Sequence, residues 1–507
     1  MNKTKWLSFY LLFWLLFLIG PFLYGEEALR WGADSEGGAP YIFQDPTNPT
    51  RTIGFEVDLV NAIAQEMNKK AEFVQNQWDS LIPGLNRKNY DIVVNGLEIT
   101  EDRKAEILFS DPYYVTYEQL TVRKETQAIE SLKDCKNKVV GTLKASLAHR
   151  MLEAEKDIQV RSYDGQINPY QDLENKRLDA VLMDFPIALY YGSPNPKLKS
   201  VGAPIGRMEY GIGLRRGDTS LVHDINAALK HLSQNGKLRE IYERWGMWNS
   251  MMAEFLNDHS PSRIPPTEYE AYLKAIGIKR DWKEKVYQYA SYLPLLAKGA
   301  LMTVELSLLA MVVAVILGLG ITLIRLYTPA PLPWLATSYV EVIRGTPLLI
   351  QLFFIFYALP SIGITFEPFV AALVGLGLNY AAYEAENYRA GILAIPRHQM
   401  EAALALGMSK LQALRHIIIP QAVRIIIPPV TNDFISLLKD SSLVSVITLV
   451  ELTKIYGQLA STYYDYFGTG VMVAIMYFLI GLPFVRLSHW AEKYFSFDRE
   501  RLPQKTN

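Results

Sequence analysis

The chain has 507 residues, which is too long for one domain and predicts about three units. Its formal net charge is −1, so it lacks the global basic field that would indicate a nucleic acid as partner. Charged residues make up only 20% of the sequence, and the apolar residues are concentrated after about residue 293, which predicts a membrane region there.

The first residues have the pattern of an export signal. Lys3 and Lys5 precede the apolar run 6–23, like the basic and apolar regions of a secretory signal. Residues 1–25 are therefore predicted to be a signal peptide or an uncleaved signal anchor, because Leu23-Tyr24-Gly25 is a poor cleavage site. In both cases the domain that follows is predicted to be exported.

Residues 26–250 have the pattern of an exported α/β domain. Short apolar strands, such as 91–94 and 138–141, alternate with amphipathic helices, such as 55–67 and the segment 221–245. The length of this region accommodates two lobes.

A linker is predicted at residues 251–292. The stretch Ser260 to Pro266 is polar and rich in proline, and one amphipathic segment, Glu268 to Ile276, follows it. This linker would tether the exported domain to the membrane region.

Four strings in the exported domain carry a family resemblance. They are Ile53 to Leu59, Gly96-Leu97-Glu98-Ile99-Thr100-Glu101-Asp102-Arg103, Phe109 to Tyr114 and Ala180 to Asp184. Together they resemble the amino-acid-binding branch of the periplasmic binding proteins, including glutamine- and lysine/arginine/ornithine-binding proteins. The resemblance implies a two-lobed α/β fold of type II, with the ligand between the lobes. It also implies two hinge strands, expected near Tyr117 to Val122 and Arg207 to Leu214.

Arg103 and Asp184 are the predicted poles of an amino-acid site. An α-amino acid carries a carboxylate and an ammonium, so its receptor needs a bidentate cation and a carboxylate on opposite sides of the cleft. By the resemblance, Arg103 clamps the ligand carboxylate with backbone N–H groups around Ser146 and Leu147, and Asp184 accepts from the ammonium.

Further residues complete the predicted ligand site. Trp78 would stack on the body of the ligand, with core packing as the alternative, and Asp34 matches a position that reaches the ligand side chain. Glu98 stands where the family usually has Ser or Thr, and an added carboxylate favours a cationic ligand. The full predicted set is Asp34, Trp78, Gly96, Glu98, Arg103, Ser146, Leu147 and Asp184.

The membrane region, predicted at residues 293–496, is expected to be an all-α domain of five helices. Its apolar runs approach the length that crosses a bilayer, and the count of five places the basic loops and the tail 497–507 in the cytoplasm. The predicted crossings are Leu306–Ile324, Gly345–Phe366, Pro368–Tyr383, Ile425–Val450 and Tyr466–Val485.

The loop after the third crossing contains a motif for docking. In Glu401-Ala402-Ala403-x3-Gly407-x9-Ile417-x-Ile419-Pro420, a glycine separates two short helices, which predicts a helical knob that fits a groove of another protein. The alternative is an ordinary surface hairpin. The motif resembles the EAA loop of ABC importer permeases, whose coupling helix inserts into the ATPase subunit. By that resemblance the coupling residues are Glu401, Ala402, Ala403, Gly407 and Pro420.

Three more strings extend this resemblance to the polar-amino-acid permeases over residues 290–495: Arg344 to Leu349, Ala382 to Gly391 and Leu438 to Leu443. Ionisable groups inside a membrane are costly unless they face a polar cavity, so they are candidates for the translocation path. For Glu384 the alternative is a position at headgroup level. The predicted path residues are Glu384, Asn387, Asp433, Lys439 and Asp440.

The chain lacks a Gly-x4-Gly-Lys-Ser/Thr phosphate loop, so it is predicted to be a transport subunit and not an enzyme. We expect a separate ABC ATPase to bind ATP and Mg²⁺, and this chain to hold no cofactor or metal. The resemblance further implies a homodimer, multi-pass and in contact with lipid, in a bacterial cytoplasmic membrane, with the binding domain outside. The expected function is import of a polar or cationic L-amino acid.

The alternatives are a ligand-gated channel and a membrane-bound amino-acid sensor, because both join such binding lobes to membrane helices. In receptor channels the pore is inserted within a lobe, whereas here all the apolar runs follow the finished domain. A sensor would need a soluble catalytic domain after residue 250, and the sequence leaves no room for one.

Overall fold

The computed structural model of the chain describes residues 28–277 and 282–495. The predicted signal segment 1–25 and the predicted tail 497–507 lie outside the described residues, as do residues 278–281 of the predicted linker.

The exported part contains two five-stranded sheets, one in each lobe. The strands are β1 (Ala28–Ala33), β2 (Phe43–Asp45), β3 (Asn48–Ile53), β4 (Lys70–Gln75), β5 (Ile92–Val93), β6 (Leu108–Phe109), β7 (Tyr114–Arg123), β8 (Val139–Leu143), β9 (Gln159–Tyr163), β10 (Ala180–Asp184), β11 (Leu198–Tyr210) and β12 (Gly213–Leu214). Lobe one has the order β4-β1-β5-β12-β6, lobe two has the order β11-β7-β10-β8-β9, and β2 and β3 form a separate hairpin. The predicted two-lobed α/β fold is confirmed.

Helices pack on both sheets because their apolar faces need burial. They are α1 (Phe55–Glu66), α2 (Leu81–Asn86), α3 (Glu101–Lys104), α4 (Leu147–Ala154), α5 (Asn168–Glu174), α6 (Thr219–Gln234), α7 (Lys237–Arg244), α8 (Ser250–Phe255) and α9 (Thr267–Gly277). Between α6 and α7, Gly236 has φ +80°, a left-handed conformation that glycine adopts without strain. This glycine separates α6 from α7.

The chain crosses between the lobes at two places. It enters lobe two between β6 and β7 and returns between β11 and β12, so the predicted hinge at Arg207–Leu214 contains the return crossing. The other predicted hinge, Tyr117–Val122, is wrong, because those residues lie within β7 and pair with β10 and β11. The outward crossing lies earlier, at Ser110–Tyr113.

The predicted linker is largely helical. Helix α9 packs on the exported domain through Tyr272, which is 3% exposed and whose ring centroid lies 4.9 Å from that of Tyr190. Burial of aromatic side chains stabilises such a helix far more than helix propensity alone. The receptor domain therefore extends to Gly277, and the first membrane helix begins at Trp282.

The secondary-structure elements of the membrane region, within the described residues, are helices. The helices are α10 (Trp282–Tyr327), α11 (Leu332–Gly345), α12 (Leu348–Phe353), α13 (Pro368–Leu393), α14 (Arg397–Ala405), α15 (Lys410–Ala413), α16 (Ile419–Asp440), α17 (Leu452–Tyr463) and α18 (Tyr466–Phe495). Within the described ranges, three helical runs are long and apolar enough to cross a membrane: Trp282–Tyr327, Lys410–Ile447 and Tyr466–Ala491. A bent pair, Leu332–Gly345 and Leu348–Ile362, raises the number to four if it forms one span.

The predicted crossing Gly345–Phe366 is not a straight helix. The chain bends by 107° between Gly345 and Leu348. Pro347 lacks a backbone N–H and disfavours a helical residue before it, and Thr346 is accordingly extended, with φ −117° and ψ 142°. The predicted crossing Pro368–Tyr383 forms the first part of α13, which packs in the centre of the helical domain.

Candidate functional site

Arg103 lies in the cleft between the lobes, as predicted. Its short helix α3 is capped by Thr100, whose hydroxyl accepts from the Arg103 N–H at 3.4 Å. Arg103 as a whole residue is 8% exposed, and its Cζ lies 5.3 Å from the centroid of the Trp78 ring. The predicted cation and the predicted stacking surface therefore meet on the same side of the cleft.

Glu98 is bound to Arg103. Arg103 Nη1 forms an ion pair with the Glu98 carboxylate and donates to the Glu98 carbonyl at 3.0 Å. Across the cleft, the Leu147 N–H donates to Glu98 Oε1 at 2.9 Å, and Arg103 Nη2 donates to the Ala145 carbonyl at 3.2 Å. Burial opposes ionisation of Glu98, but Arg103 and these hydrogen bonds lower its pKa below the usual value, so the carboxylate is charged.

Asp184 lies at the end of β10, on the lobe-two side of the cleft. It accepts hydrogen bonds from the hydroxyl groups of Tyr41 and Tyr210, the latter at 2.5 Å. Burial raises the pKa of Asp184, and the tyrosine hydrogen bonds partly offset that rise. Sequence analysis missed both tyrosines because no local pattern marks them.

Asp34, which follows the end of β1, organises the cleft mouth. Its Oδ2 accepts from the Trp78 N–H at 3.1 Å, and its Oδ1 accepts from Gln75 Nε2 at 2.9 Å. Asp34 thereby orients Trp78, whose indole N–H in turn donates to the Lys144 carbonyl of lobe two at 3.2 Å.

Ser146 and Gly96 shape the backbone at the site. The Ser146 hydroxyl accepts from the His149 N–H at 3.1 Å, which caps α4. Gly96 has φ +61°, and a Cβ there would lie 2.9 Å from the Tyr41 ring, so only glycine allows this close approach.

Glu56 and Glu118 are two buried carboxyl groups that sequence analysis missed. Glu56 accepts from the Gly96 N–H at 2.6 Å, and burial raises its pKa to about 8. Glu118 is 1% exposed, lines the inner cleft, and has a raised pKa because of burial and the nearby Asp184 and Glu98. A signal was available, since Glu118 is the only acidic residue of the strand β7.

The cleft is closed, and two cavities lie on either side of Trp78. The inner cavity, lined by Glu98 and Asp184 among others, has a volume of only about 10 Å³. The outer cavity has a volume of about 370 Å³ and is lined by both lobes and by the membrane domain. Its lining includes Asp34, Trp78, Asp164, Phe353, Gly457 and Tyr466.

The exported domain lies against the membrane domain with the cleft mouth facing it. Lys454 of α17 forms an ion pair with Glu36 at 3.2 Å, and Gln458 Nε2 donates to Ser35 Oγ at 2.8 Å. Lobe two is contacted as well, because the Tyr466 hydroxyl donates to Asn168 Oδ1 at 2.6 Å. The membrane domain thus touches both lobes of the closed cleft.

A further polar cavity, of about 560 Å³, lies within the membrane domain. Asp433 and Asp440 line it, together with Arg344 and Tyr380. Asn387 Nδ2 donates to Asp433 Oδ2 at 2.8 Å, and the Tyr380 hydroxyl donates to Asp440 Oδ2 at 2.7 Å. The predicted path residues Asn387 of α13 and Asp433 of α16 therefore meet.

Two of the predicted path residues lie elsewhere. Lys439 is exposed and lies outside the lining of this cavity. Glu384 is fully buried against α10, where a Cβ on Gly318 would come within 2.7 Å of the Glu384 Cβ. Both follow from helix geometry, since only one face of each helix reaches the cavity.

The motif after α13 forms two short helices separated by a glycine, as predicted. Helix α14 ends before Gly407, whose φ of +83° is left-handed, and α15 follows, so the glycine breaks the two helices as expected. Ala403 is buried, whereas Glu401, Leu406 and Leu411 are exposed, the two leucines at 83% and 74%. Pro420 lies in the first turn of α16, where its missing N–H is tolerated.

Comparison with known proteins covers both parts of the chain. Residues 29–247 match the bacterial extracellular solute-binding proteins, family 3, and residues 311–496 match the binding-protein-dependent transport system inner membrane component.

Individual relatives match one part each. The L-cystine transport system permease protein TcyB of Bacillus subtilis is 44% identical over 32% of this chain and 70% of its own length. The probable amino-acid ABC transporter permease protein PatM of Vibrio harveyi is 37% identical over 39% of this chain and 91% of its own. The arginine-binding periplasmic protein of Mannheimia haemolytica is 34% identical over 38% of this chain and 81% of its own.

These matches agree with the fold and the apolar helices. The chain is a multi-pass inner-membrane protein with its solute-binding domain on the extracytoplasmic side, and both families are transport components, not enzymes. They favour import over a channel or a sensor. The chain therefore belongs to the amino-acid ABC transporters, as a family 3 solute-binding protein fused to its inner-membrane permease component.

Proposed function

We propose that this transporter imports a cationic L-amino acid. The observation that carries the proposal is the charge of the inner cleft, whose cavity is lined by Glu98, Glu118 and Asp184, with the cation Arg103 paired to Glu98. One carboxylate suffices for the ligand ammonium, so the others are available for a cationic side chain. The similarity to an arginine-binding periplasmic protein supports the same ligand class.

Each pole of the ligand has an assigned partner in this proposal. Arg103 and the Leu147 N–H bind the ligand carboxylate, and Asp184 accepts from the ammonium. Trp78 covers the ligand body, since its ring already lies 5.3 Å from the Arg103 guanidinium. Ser146 and Gly96 shape the backbone around these groups, and Asp34 acts by holding Trp78.

Glu118 gives this ligand class a pH signature. Burial and the neighbouring Asp184 and Glu98 raise its pKa, so in the empty cleft the carboxyl group favours its neutral form. A bound cation would lower that pKa and release the proton. There is then a pH range in which Glu118 is protonated in the ligand-free receptor and deprotonated in the complex. In that range the affinity for a cationic ligand is expected to rise with pH.

The cavity between α13 and α16 is proposed as the path through the membrane. Asp433 and Asp440 give it the charge that a cationic ligand needs, and Asn387 holds Asp433. Glu384 and Lys439 are proposed to affect transport only indirectly, Glu384 through helix packing and Lys439 through the exposed surface of its helix.

Energy for transport is proposed to come from a separate ABC ATPase that binds ATP and Mg²⁺. The exposed leucines beside Glu401, Ala402 and Gly407 provide an apolar surface for that partner. Five crossings are proposed for each chain, with the bent pair and α13 completing the three long spans. Two copies of the chain would then enclose one pathway.

Competition binding tests the ligand class. Purified full-length chain in detergent is titrated with labelled arginine and competed with lysine, histidine, glutamine and glutamate. Arginine or lysine is expected to compete best, and the proposal is wrong if glutamine or glutamate does. Uptake of the winning ligand into vesicles, with and without ATP and the partner ATPase, then tests the energy source.

A further inference from the structure

Glu98 is held as a ligand carboxylate would be. Its carboxylate pairs with Arg103 Nη1, and its Oε1 accepts from the Leu147 N–H at 2.9 Å. These are the two donors that the proposed function assigns to the α-carboxylate of the ligand. The side chain of Glu98 is 7% exposed, so water contributes little to its solvation.

Space in the cleft does not allow both carboxylates at once. The inner cavity of about 10 Å³ is at the lower limit for one water molecule. A ligand carboxylate can reach Arg103 and Leu147 only after the Glu98 side chain has left them.

The Glu98 contacts also hold the lobes together. Glu98 and Arg103 belong to lobe one, whereas the Leu147 N–H and the Ala145 carbonyl belong to lobe two. The Trp78 indole crosses the cleft in the same way, to the Lys144 carbonyl. In each of these hydrogen bonds both the donor and the acceptor are groups of the protein.

The opposite pole of the cleft is also satisfied from within. Asp184 of lobe two accepts from the Tyr41 hydroxyl of lobe one and from Tyr210 at the return crossing. An unpaired buried charge would oppose closure of an empty cleft. Because Arg103 and Asp184 both have internal partners, that penalty is removed.

We propose that Glu98 is an internal substitute for the ligand carboxylate, so that the empty receptor closes on its own side chain and a ligand enters by displacing it. The proposal rests on the binding mode proposed above. The displaced Glu98 then accepts from the ammonium or the cationic side chain of the ligand. A suitable ligand therefore carries a carboxylate to replace Glu98 at Arg103 and a cation to pair with it.

Self-closure weakens binding, because the apparent affinity falls with the fraction of receptor that is open. A receptor tethered to its own permease tolerates weak affinity, since the tether keeps its local concentration high. Substitution of Glu98 by the family-typical threonine would restore an empty receptor that is open.

The test measures the distance between the lobes in the full-length chain without any ligand. Cys135 is the only cysteine, so a Cys135→Ala chain with Glu72→Cys in lobe one and Lys156→Cys in lobe two carries spin labels at two chosen positions, one on each lobe. In the chain that retains Glu98, pulsed electron paramagnetic resonance is expected to give mainly the short distance between the labels that corresponds to a closed cleft. In Glu98→Thr the ligand-free distribution is expected to move to longer distances, and saturating arginine restores the short one.

Glu101→Thr is the matched control. Glu101 follows Glu98 by three residues but is exposed and pairs with Lys104 at the surface, so its replacement is expected to leave the distances unchanged. Identical ligand-free distributions in the labelled parent chain and in its Glu98→Thr variant would overturn the proposal, as would an open distribution in the parent chain. Competition by glutamine alone would overturn the ligand class but leave the ligand-free comparison of the parent chain with Glu98→Thr intact, so the two failures are distinguishable.

Discussion

Lys454 Nζ of the permease lies 3.2 Å from Glu36 Oε1 of the receptor, and the lysine side chain is 2% exposed. The pair lies beside Asp34, which orients Trp78 at the cleft mouth. Gly457 permits the approach, because a Cβ at that position would lie 2.4 Å from Glu36 Oε1. The docked receptor is thus joined to the permease, next to the cleft, by an ion pair whose lysine is buried and whose glutamate is partly exposed.

Breaking this ion pair is expected to impair transport without abolishing ligand capture. Removal of the Glu36 carboxylate leaves the buried Lys454 charge without its partner, and removal of the lysine leaves a partly exposed carboxylate without its own. Lys454→Met and Glu36→Gln should each reduce ATP-dependent uptake in vesicles by about tenfold or more. The arginine affinity of the receptor should change by less than about threefold, because the pair lies outside the inner cleft.

A charge exchange provides the control. The double variant Lys454→Glu with Glu36→Lys restores opposite charges and should recover part of the lost uptake. Failure of the exchange to improve on both single variants would show that the pair does not dock the receptor.

Arg103→Lys should abolish tight ligand binding. A lysine keeps the charge but lacks the planar fork with which Arg103 now contacts Glu98 and the Ala145 carbonyl, so it cannot bind the ligand carboxylate in a bidentate way. Calorimetry is expected to show an affinity loss of about 100-fold. Arg30→Lys, at a half-exposed pair with Asp91, serves as the control, and equal losses in both variants would contradict a specific role for Arg103.

Gly407→Ala should uncouple transport from ligand binding. A φ of +83° costs an alanine about 1–2 kcal/mol, so the knob between α14 and α15 would shift. ATP-dependent uptake should fall, and arginine binding should not change. Gly320→Ala is the matched control, because a Cβ there meets open space in an ordinary helix, and an equal loss in that variant would exclude a specific effect at Gly407.

Asp433→Asn should reduce uptake of cationic amino acids by about tenfold while leaving the receptor affinity unchanged, since the carboxylate faces the membrane cavity. Initial rates of arginine uptake in vesicles measure the effect. Lys439→Gln is the comparison, because Lys439 is exposed outside the cavity lining and its loss should change the rate less than about twofold. If Lys439→Gln reduced uptake more than Asp433→Asn, the assignment of Asp433 to the path and of Lys439 to the helix surface would be wrong.

Glu56 predicts a pH dependence of receptor stability. Burial raises its pKa from 4.5 to about 8, so the folded state binds a proton that the unfolded state releases above about pH 4.5. The stabilisation by this group is complete below that pH and is lost as the pH rises to about 8, with a slope of up to about 1.4 kcal/mol per pH unit.

Thermal unfolding of the receptor domain at several pH values checks this dependence. Glu56→Gln cannot titrate, so the difference in stability between the two proteins should change from about pH 4.5 to about 8 and level off above. A difference that is constant over this range would contradict the raised pKa of Glu56. Glu101→Gln, at an exposed carboxylate, should leave the pH profile unchanged.

Much of the fold was predictable because it depends on local patterns. Short apolar runs marked strands such as β8, helical periodicity marked α1, and Gly407 marked a break that its left-handed φ angle confirms. Long apolar runs marked the membrane region, since a bilayer demands continuous burial of the chain. The hinge at Tyr117–Val122 was predicted wrongly, because an apolar strand was interpreted without the strands that it pairs with. The linker was predicted too long, because an amphipathic helix was interpreted without the surface on which it packs.

At the cleft, the sequence by itself determined only the candidates Arg103, Asp184 and the unusual Glu98, through their resemblance to a known family of binding proteins. Only the tertiary structure decided their partners: Tyr41 and Tyr210 on Asp184, the Leu147 N–H on Glu98, and Glu36 beside Lys454. Such pairs join residues that are far apart along the chain. They depend on how two lobes and a membrane domain close on one another, which no local pattern encodes.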